Sequence, residues 1–197
     1  MSSKESIISA IRKLNQEAEP LPKSPSFESK GKLREQFIQS IETNKGTVSS
    51  FEDLISILKK KEYKKVFTTE SSLSTYCNTT LPEHPSGFAD LDLAILKGQF
   101  AVAENGAIWL EDIDLKLRAI PFITAHLVIL LEKNCLVSNM HEAYEKIGSS
   151  KSSFGLFLAG PSKTADIEQS LVIGAHGAMS LNVVLLDEDS NINKTKN

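Results

Sequence analysis

The sequence lacks most of the features that assign a function on sight. It has only two cysteines, Cys77 and Cys135, and no C-x-x-C pair. A structural zinc or an iron–sulfur cluster needs several thiolate or imidazole ligands at close spacing. No cluster is therefore expected on this chain alone, and both thiols are expected to be reduced and packed as small hydrophobes. An excess of basic charge is also missing: 22 Lys and Arg stand against 25 Asp and Glu, a formal charge of −3. A phosphate-binding surface wants the opposite balance, which argues against a nucleic-acid partner. No apolar run approaches the roughly 18 residues that suggest a membrane span. The start, MSSKESIISAIRKLN, has no separate apolar core or cleavage site of the secretory kind. A cytoplasmic protein with no membrane partner is expected. No internal repeat is present.

What is there suits one folded unit with an appendage. Of the 197 residues, 41% are hydrophobic and 24% charged, enough to build a core. Ser2-x-x-Glu5 has the form of a capping box, and Ile7, Ile8, Ile11 and Leu14 fall on one helical face. Pro20, Pro22 and Pro25 follow, so residues 1–29 read as a helical arm on an extended linker, able to pack on the body or on a second copy. From Lys30 the spacing Leu33, Phe37, Ile38, Ile41 predicts a helix ended by Asn44-Lys45-Gly46. A short strand follows, then a helix capped by Ser49 and Glu52 with Leu54, Ile55 and Leu58 inward. Lys59, Lys60, Lys61, Lys64 and Lys65 read as a solvated helix end where cations favour the dipole.

Strands are predicted over 63–69, 91–96, 100–103, 107–110, 127–131, 154–159 and 181–186, with a helix at 139–147 capped by Ser138. This alternation predicts an α/β layered fold. Residues 188–197 carry no apolar periodicity and are expected to be a disordered tail.

Two segments carry candidate chemistry. In GPSKTADIEQSLVIGAHGA, residues 160–178, small and hydroxyl residues follow a strand and precede an expected short helix. Ser162, Thr164 and free backbone N–H groups would suit a small anion, with Asp166, Glu168 and His176 close by. The bland reading is capping, with Asp166-x-x-Gln169 as a capping box and Gly174 past the helix end. In FAVAENGAIWL, residues 100–110, Asn105-Gly106 suits a two-residue hairpin tip with alternating flanks, and Glu104 is either a hairpin residue or a working carboxylate. His84, His126 and His141 lack metal-ligand spacing, Asp90 and Asp92 read as turn residues, and Trp109 reads as core. No metal site is expected.

Gly160-Pro161-Ser162, Thr164, Asp166-Ile167-Glu168, Gly174 and His176-Gly177, together with the AENGAIWL hairpin, resemble the LUD-domain family, the group that includes lactate-utilisation protein C. The resemblance spans about residues 30–187, with Asn105 where that family usually has Thr. It implies a three-layer α/β/α domain with a mostly parallel, Rossmann-like sheet, akin to sugar-phosphate isomerases, glucosamine-phosphate deaminases and coenzyme A-transferases. It also implies a bacterial protein acting in L-lactate oxidation to pyruvate, with iron–sulfur clusters on partner proteins. The ligand-binding residues it implies are Asn105, Gly106, Gly160, Pro161, Ser162, Thr164, Asp166, Glu168, His176 and Gly177. AENG further resembles the Ser-Glu-Asn-Gly motif of the coenzyme A-transferases, with Ala103 for Ser. That likeness implies Glu104 as a nucleophile, with backbone donors near Gly106 or Gly160 for an oxyanion. Three readings thus stand open: a lactate-pathway subunit, an acyl-transferring or sugar-phosphate enzyme, and a sensor of a small anionic metabolite.

Overall fold

The computed structural model describes residues 3–14, 32–148, 152–165, 171–174 and 176–187. The expected Ser2 cap, the Pro linker, Asp166, Glu168 and the 188–197 tail lie outside these.

Helix α1 (Ser3–Lys13) buries none of its residues; Ile11 and Leu14 remain 60% and 70% exposed. Helix α2 (Leu33–Thr43) buries Phe37 and Ile41, as the spacing predicts. It ends in a Schellman motif: Lys45 N–H donates to Glu42 O and Gly46 N–H to Ile41 O, with Lys45 at φ +68. Strand β1 (Thr47–Ser49) follows, then helix α3 (Phe51–Lys59).

The cap of α3 is Ser50 rather than Ser49. Ser49 is held in register with Val184 as strand, so the first free extended residue is Ser50, whose hydroxyl and Asp53's carboxylate exchange bonds with each other's backbone N–H.

The remaining strands are β2 (Val66–Thr68), β3 (Leu93–Lys97), β4 (Phe100–Val102), β5 (Ile108–Glu111), β6 (His126–Glu132), β7 (Leu136–Val137), β8 (Gly155–Leu158), β9 (Lys163–Ala165), β10 (Leu171–Ile173) and β11 (Ser180–Leu186). Single turns α4 (Asp112–Leu115) and α5 (Ile120–Ile123) lead from β5 to β6, and helix α6 (Met140–Ile147) follows β7. Its cap is Asn139, whose Oδ1 accepts the His141 and Glu142 N–H groups, whereas Ser138 N–H donates to Glu142.

The central sheet has the order β1-β11-β6-β3-β2, all parallel. Its strands alternate between two apolar faces, which is why they read as continuous hydrophobic runs. Leu127, Ile129 and Leu131 of β6 face one cluster with Phe37 and Ile41 of α2; Val128 and Leu130 face the other with Leu54 and Leu58 of α3. The fold is thus the three-layer α/β/α arrangement with a mostly parallel sheet. One outer layer pairs α2 with a second sheet of order β7-β4-β5-β8, which contributes Ala101, Ile108 and Leu110 to the shared core. Trp109 is only half-buried there; its ring packs on Phe157 at 4.7 Å and its Nε1 donates to Glu111 at 3.0 Å.

Residues 171–173, expected to lie in a helix that ends before Gly174, form a strand. Strand β9 pairs antiparallel with β10, Thr164 opposite Val172, and Gly174 at φ +77 follows a strand. LVI is an apolar run of three residues, too short to show a helical period or a strand alternation.

Candidate functional site

The two candidate segments meet over the end of α2. The turn between β4 and β5 is a three-residue loop, Ala103-Glu104-Asn105, closed by a bulge. Gly106 N–H donates to Val102 O at 2.9 Å, and Val102 N–H to Ala107 O at 2.8 Å. A two-residue type I′ tip would need positive φ at both Asn105 and Gly106; only Gly106 has it, at +71. Asn105 instead accepts Ala107 N–H on its Oδ1 at 3.0 Å. The Gly106 N–H is therefore spent inside the hairpin and is not a free donor for an oxyanion.

Helix α2 fastens this loop. Ser40 Oγ donates to Ala103 O at 2.8 Å, and Asn44 Nδ2 donates to Asn105 O at 2.7 Å. A Cβ at Gly106 would sit 3.1 Å from the Ile41 backbone nitrogen, so glycine answers both the turn and the close approach. The same Asn44 receives the second segment. Gly160, at φ +85, lies so near that a Cβ would be 2.4 Å from Asn44 O, and Lys163 Nζ donates to Asn44 Oδ1 at 3.3 Å.

Glu104 is exposed on the loop and leans toward α6, where its Oε2 accepts Met140 N–H at 3.3 Å. Its own N–H donates to Ser138 O. A carboxylate at a helix start is favoured by the dipole and by the free N–H groups there.

Gly160 and Pro161 are buried, while Ser162 and Thr164 are half-buried. Ser162 N–H donates to Ala178 O, and Gly174 N–H to Ser162 O. Gly177 comes against Ser162, where a Cβ would be 3.1 Å from the Ser162 Cβ. The structure thus brings Ser162, Gly174 and Gly177 together, with His176 exposed beside them. Asn105, Gly106 and Gly160 gather on Asn44, and Glu104 stands apart at α6.

The position of this assembly is unexpected. Ligands in open α/β sheets collect outside the carboxyl ends of the strands. Here Asn44 precedes β1 and Gly177–Met179 precede β11, so the loops gather at the amino ends. A cavity of about 290 Å³ opens there, lined by Asp90, Asp92, Phe122, Thr124, Gly174 and Gly177 among others. Asp90 pairs with Lys65, and Asp92 accepts Lys64 N–H at 2.8 Å, so both carboxylates also serve the turn chemistry expected of them. Nothing in the sequence spacing ties these residues to Gly174; only the parallel register of β3, β6 and β11 does. His126 bonds Ser180 through Nδ1 at 2.8 Å. Among the described residues, no group of three His, Cys, Asp or Glu is placed to hold a metal. No helix of the described residues is long and apolar enough to cross a membrane.

Comparison with known proteins agrees with the fold. Residues 85–186 match the family described as LUD domain, a stretch that contains both the Glu104 loop and the GPS-to-HG segment. Lactate utilization protein C of Shouchella clausii is 28% identical over 127 residues, covering 62% of this chain and 56% of that protein. Lactate utilization protein C 1 of Bacillus mycoides is 30% identical over 49% of this chain and 44% of that protein. Lactate utilization protein C of Geobacillus kaustophilus is 31% identical over 49% of this chain and 43% of its own length. The chain spans about half the length of these curated relatives. A crystal structure of a DUF162 family protein from Deinococcus radiodurans superposes with a TM-score of 0.58 at 18% identity, covering 78% of this chain and 95% of that one.

Proposed function

We propose that this chain, which belongs to the LUD-domain family, serves in the oxidation of L-lactate to pyruvate as a subunit or accessory factor. The observation that carries this reading is that the relatives matched in several bacteria are named for lactate utilisation. Turning lactate into pyruvate removes two electrons and two protons from one carbinol, so an electron acceptor is required. Two cysteines, 77 and 135, cannot supply the four thiolates of a cluster. The electron carriers in this proposal are iron–sulfur partner proteins. The candidate residues for a small-anion contact are Gly160, Pro161, Ser162, Thr164, His176 and Gly177, with Asn105 and Gly106 on the other loop, and Asp166 and Glu168 are candidates by sequence alone.

The test is L-lactate consumption by a bacterium from which this gene is deleted, complemented with wild type, Glu104→Gln or Asp166→Asn at matched expression. Loss on deletion and rescue by wild type support the pathway role; unchanged consumption overturns it. Failure of folded Glu104→Gln to rescue makes the loop a working site, and rescue by both variants makes the chain a scaffold.

The exposure of Glu104 favours a second reading, acyl transfer through coenzyme A. The Glu104 carboxylate would attack a thioester carbonyl and expel the thiolate. The thiolate would then attack the glutamyl carbonyl and release the free acid, leaving a glutamyl thioester. Incubation with acetyl-CoA and trapping with hydroxylamine tests it: a hydroxamate on Glu104 supports transfer, and unmodified Glu104 excludes it.

A further inference from the structure

The lysine run at the end of α3 borders a cavity that the reading above does not use. It lies at β2, the edge of the central sheet opposite β1 and Asn44. The cavity measures about 400 Å³, within the range of small-molecule sites. Leu58 and Val66, both buried in the α3-side core, form its floor, and Lys59, Lys61, Tyr63 and Tyr76 stand around it.

Three features separate this place from an ordinary solvated helix end. Neither Lys59 nor Lys61 pairs with a carboxylate among the described residues, whereas neighbouring Lys65 is held by Asp90. Lys61 adopts φ +55, a left-handed conformation that non-glycine residues take at a cost, and this turn carries the chain from α3 to the cavity wall. The hydroxyls of half-buried Tyr63 and Tyr76 make no hydrogen bond within the described residues, and burial, then Asp92 and Glu62, push the Tyr63 phenol up, so it keeps its proton to donate.

The dipole of α3 opposes an anion here, because its carbonyl end faces this side. That end is worth about half a negative charge, against two full positive charges on Lys59 and Lys61. The nearby Glu62 and Asp92 take away about two positive charges, and Lys60 and Lys64 of the same run restore them. A ring lying on Tyr63 or Tyr76 would find an apolar floor, and its charged group would find two ammonium groups and two phenol donors.

We propose that the cavity between Lys59, Lys61, Tyr63 and Tyr76 is a second binding site that takes a small organic anion, with its planar body on the tyrosines and its phosphate, sulfonate or carboxylate on the lysines. The site is independent of Glu104 and of the GPS loop.

The test uses the full chain and 8-anilinonaphthalene-1-sulfonate as the probe, followed by fluorescence. The expected result is saturable binding that weakens about tenfold in Lys59→Gln/Lys61→Gln, two exposed positions whose change leaves the melting temperature unaltered. The uncharged analogue N-phenyl-1-naphthylamine serves as the control for apolar attraction, including attraction to the exposed stripe on α1. A weakening below about fivefold, or equal affinity for the uncharged analogue, overturns the proposal. If the double variant melts lower, wild type alone decides: displacement of the probe by AMP but not by adenosine supports the site, and any other pattern overturns it.

Discussion

Asn44 Nδ2 donates to the Asn105 backbone carbonyl at 2.7 Å, joining the end of α2 to the loop that carries Glu104. Because Asn44 also abuts Gly160 and accepts Lys163 Nζ at 3.3 Å, one side chain ties together two segments that are more than fifty residues apart in sequence. Asn44→Ala is expected to cost about 1–2 kcal/mol in urea unfolding, the loss of a half-buried donor and its partner. Asn44→Asp is expected to cost a similar amount, since it keeps the shape and removes the donor. A variant as stable as wild type would mean that Asn44 adds nothing to the hold of α2 on the loop.

Gly160→Ala and Gly148→Ala separate close approach from mere absence of a side chain. At Gly160 the new methyl would meet Asn44 O at 2.4 Å with φ at +85. A loss above about 2 kcal/mol is expected from strain and clash together. At Gly148 the nearest heavy atom is 3.4 Å away and φ is −53. Thermal melts should show that variant unchanged or stabilised by up to about 1 kcal/mol.

Ile41→Ala is expected to destabilise the fold by about 2–5 kcal/mol, because Ile41 is fully buried in the α2-side cluster. Ile11→Ala, on α1 at 60% exposure, should stay within about 0.5 kcal/mol. Equal effects in denaturation would show that the stripe on α1 is covered in solution.

Burial pushes the Cys77 thiol up to about 11. The thiolate is the reactive form, so alkylation by iodoacetamide at pH 8 should be slow and should rise about tenfold per pH unit up to pH 10. Peptide mass spectrometry checks this; a rate independent of pH would mean that opening of the fold limits access.

Hydrogen bonds from the Ser50 hydroxyl and backbone hold Asp53 below its ordinary value of 3.8. The folded state therefore binds this proton less readily than the unfolded chain. The stabilisation is complete above about pH 4 and fades as pH falls through the lower folded value. Unfolding of Asp53→Asn should vary less between pH 4 and pH 2 than that of wild type. A parallel pH dependence would show that the capping box does not form.

The central strands and the three longer helices of the body were legible because their apolar residues recur with periods set by backbone geometry. Phe37 and Ile41 sit one turn apart, and Leu127–Leu131 is apolar throughout because both of its faces are covered. Where such a period was missing, reading failed. LVI became a strand paired with KTA where the end of a helix was expected, and Ser50 and Asn139 took the caps assigned to their neighbours Ser49 and Ser138. A cap depends on where the preceding strand stops, which pairing with a distant strand decides.

The sequence by itself determined the fold class, the family and the two segments in question, since all three are written in residue type and local spacing. Tertiary structure alone decided how those segments meet. The three-residue loop, the use of the Gly106 N–H within it and the convergence on Asn44 at the amino end of the sheet depend on contacts between residues far apart in sequence. Such contacts leave no period along the chain, because they are set by how α2, the second sheet and the GPS segment pack on one shared core.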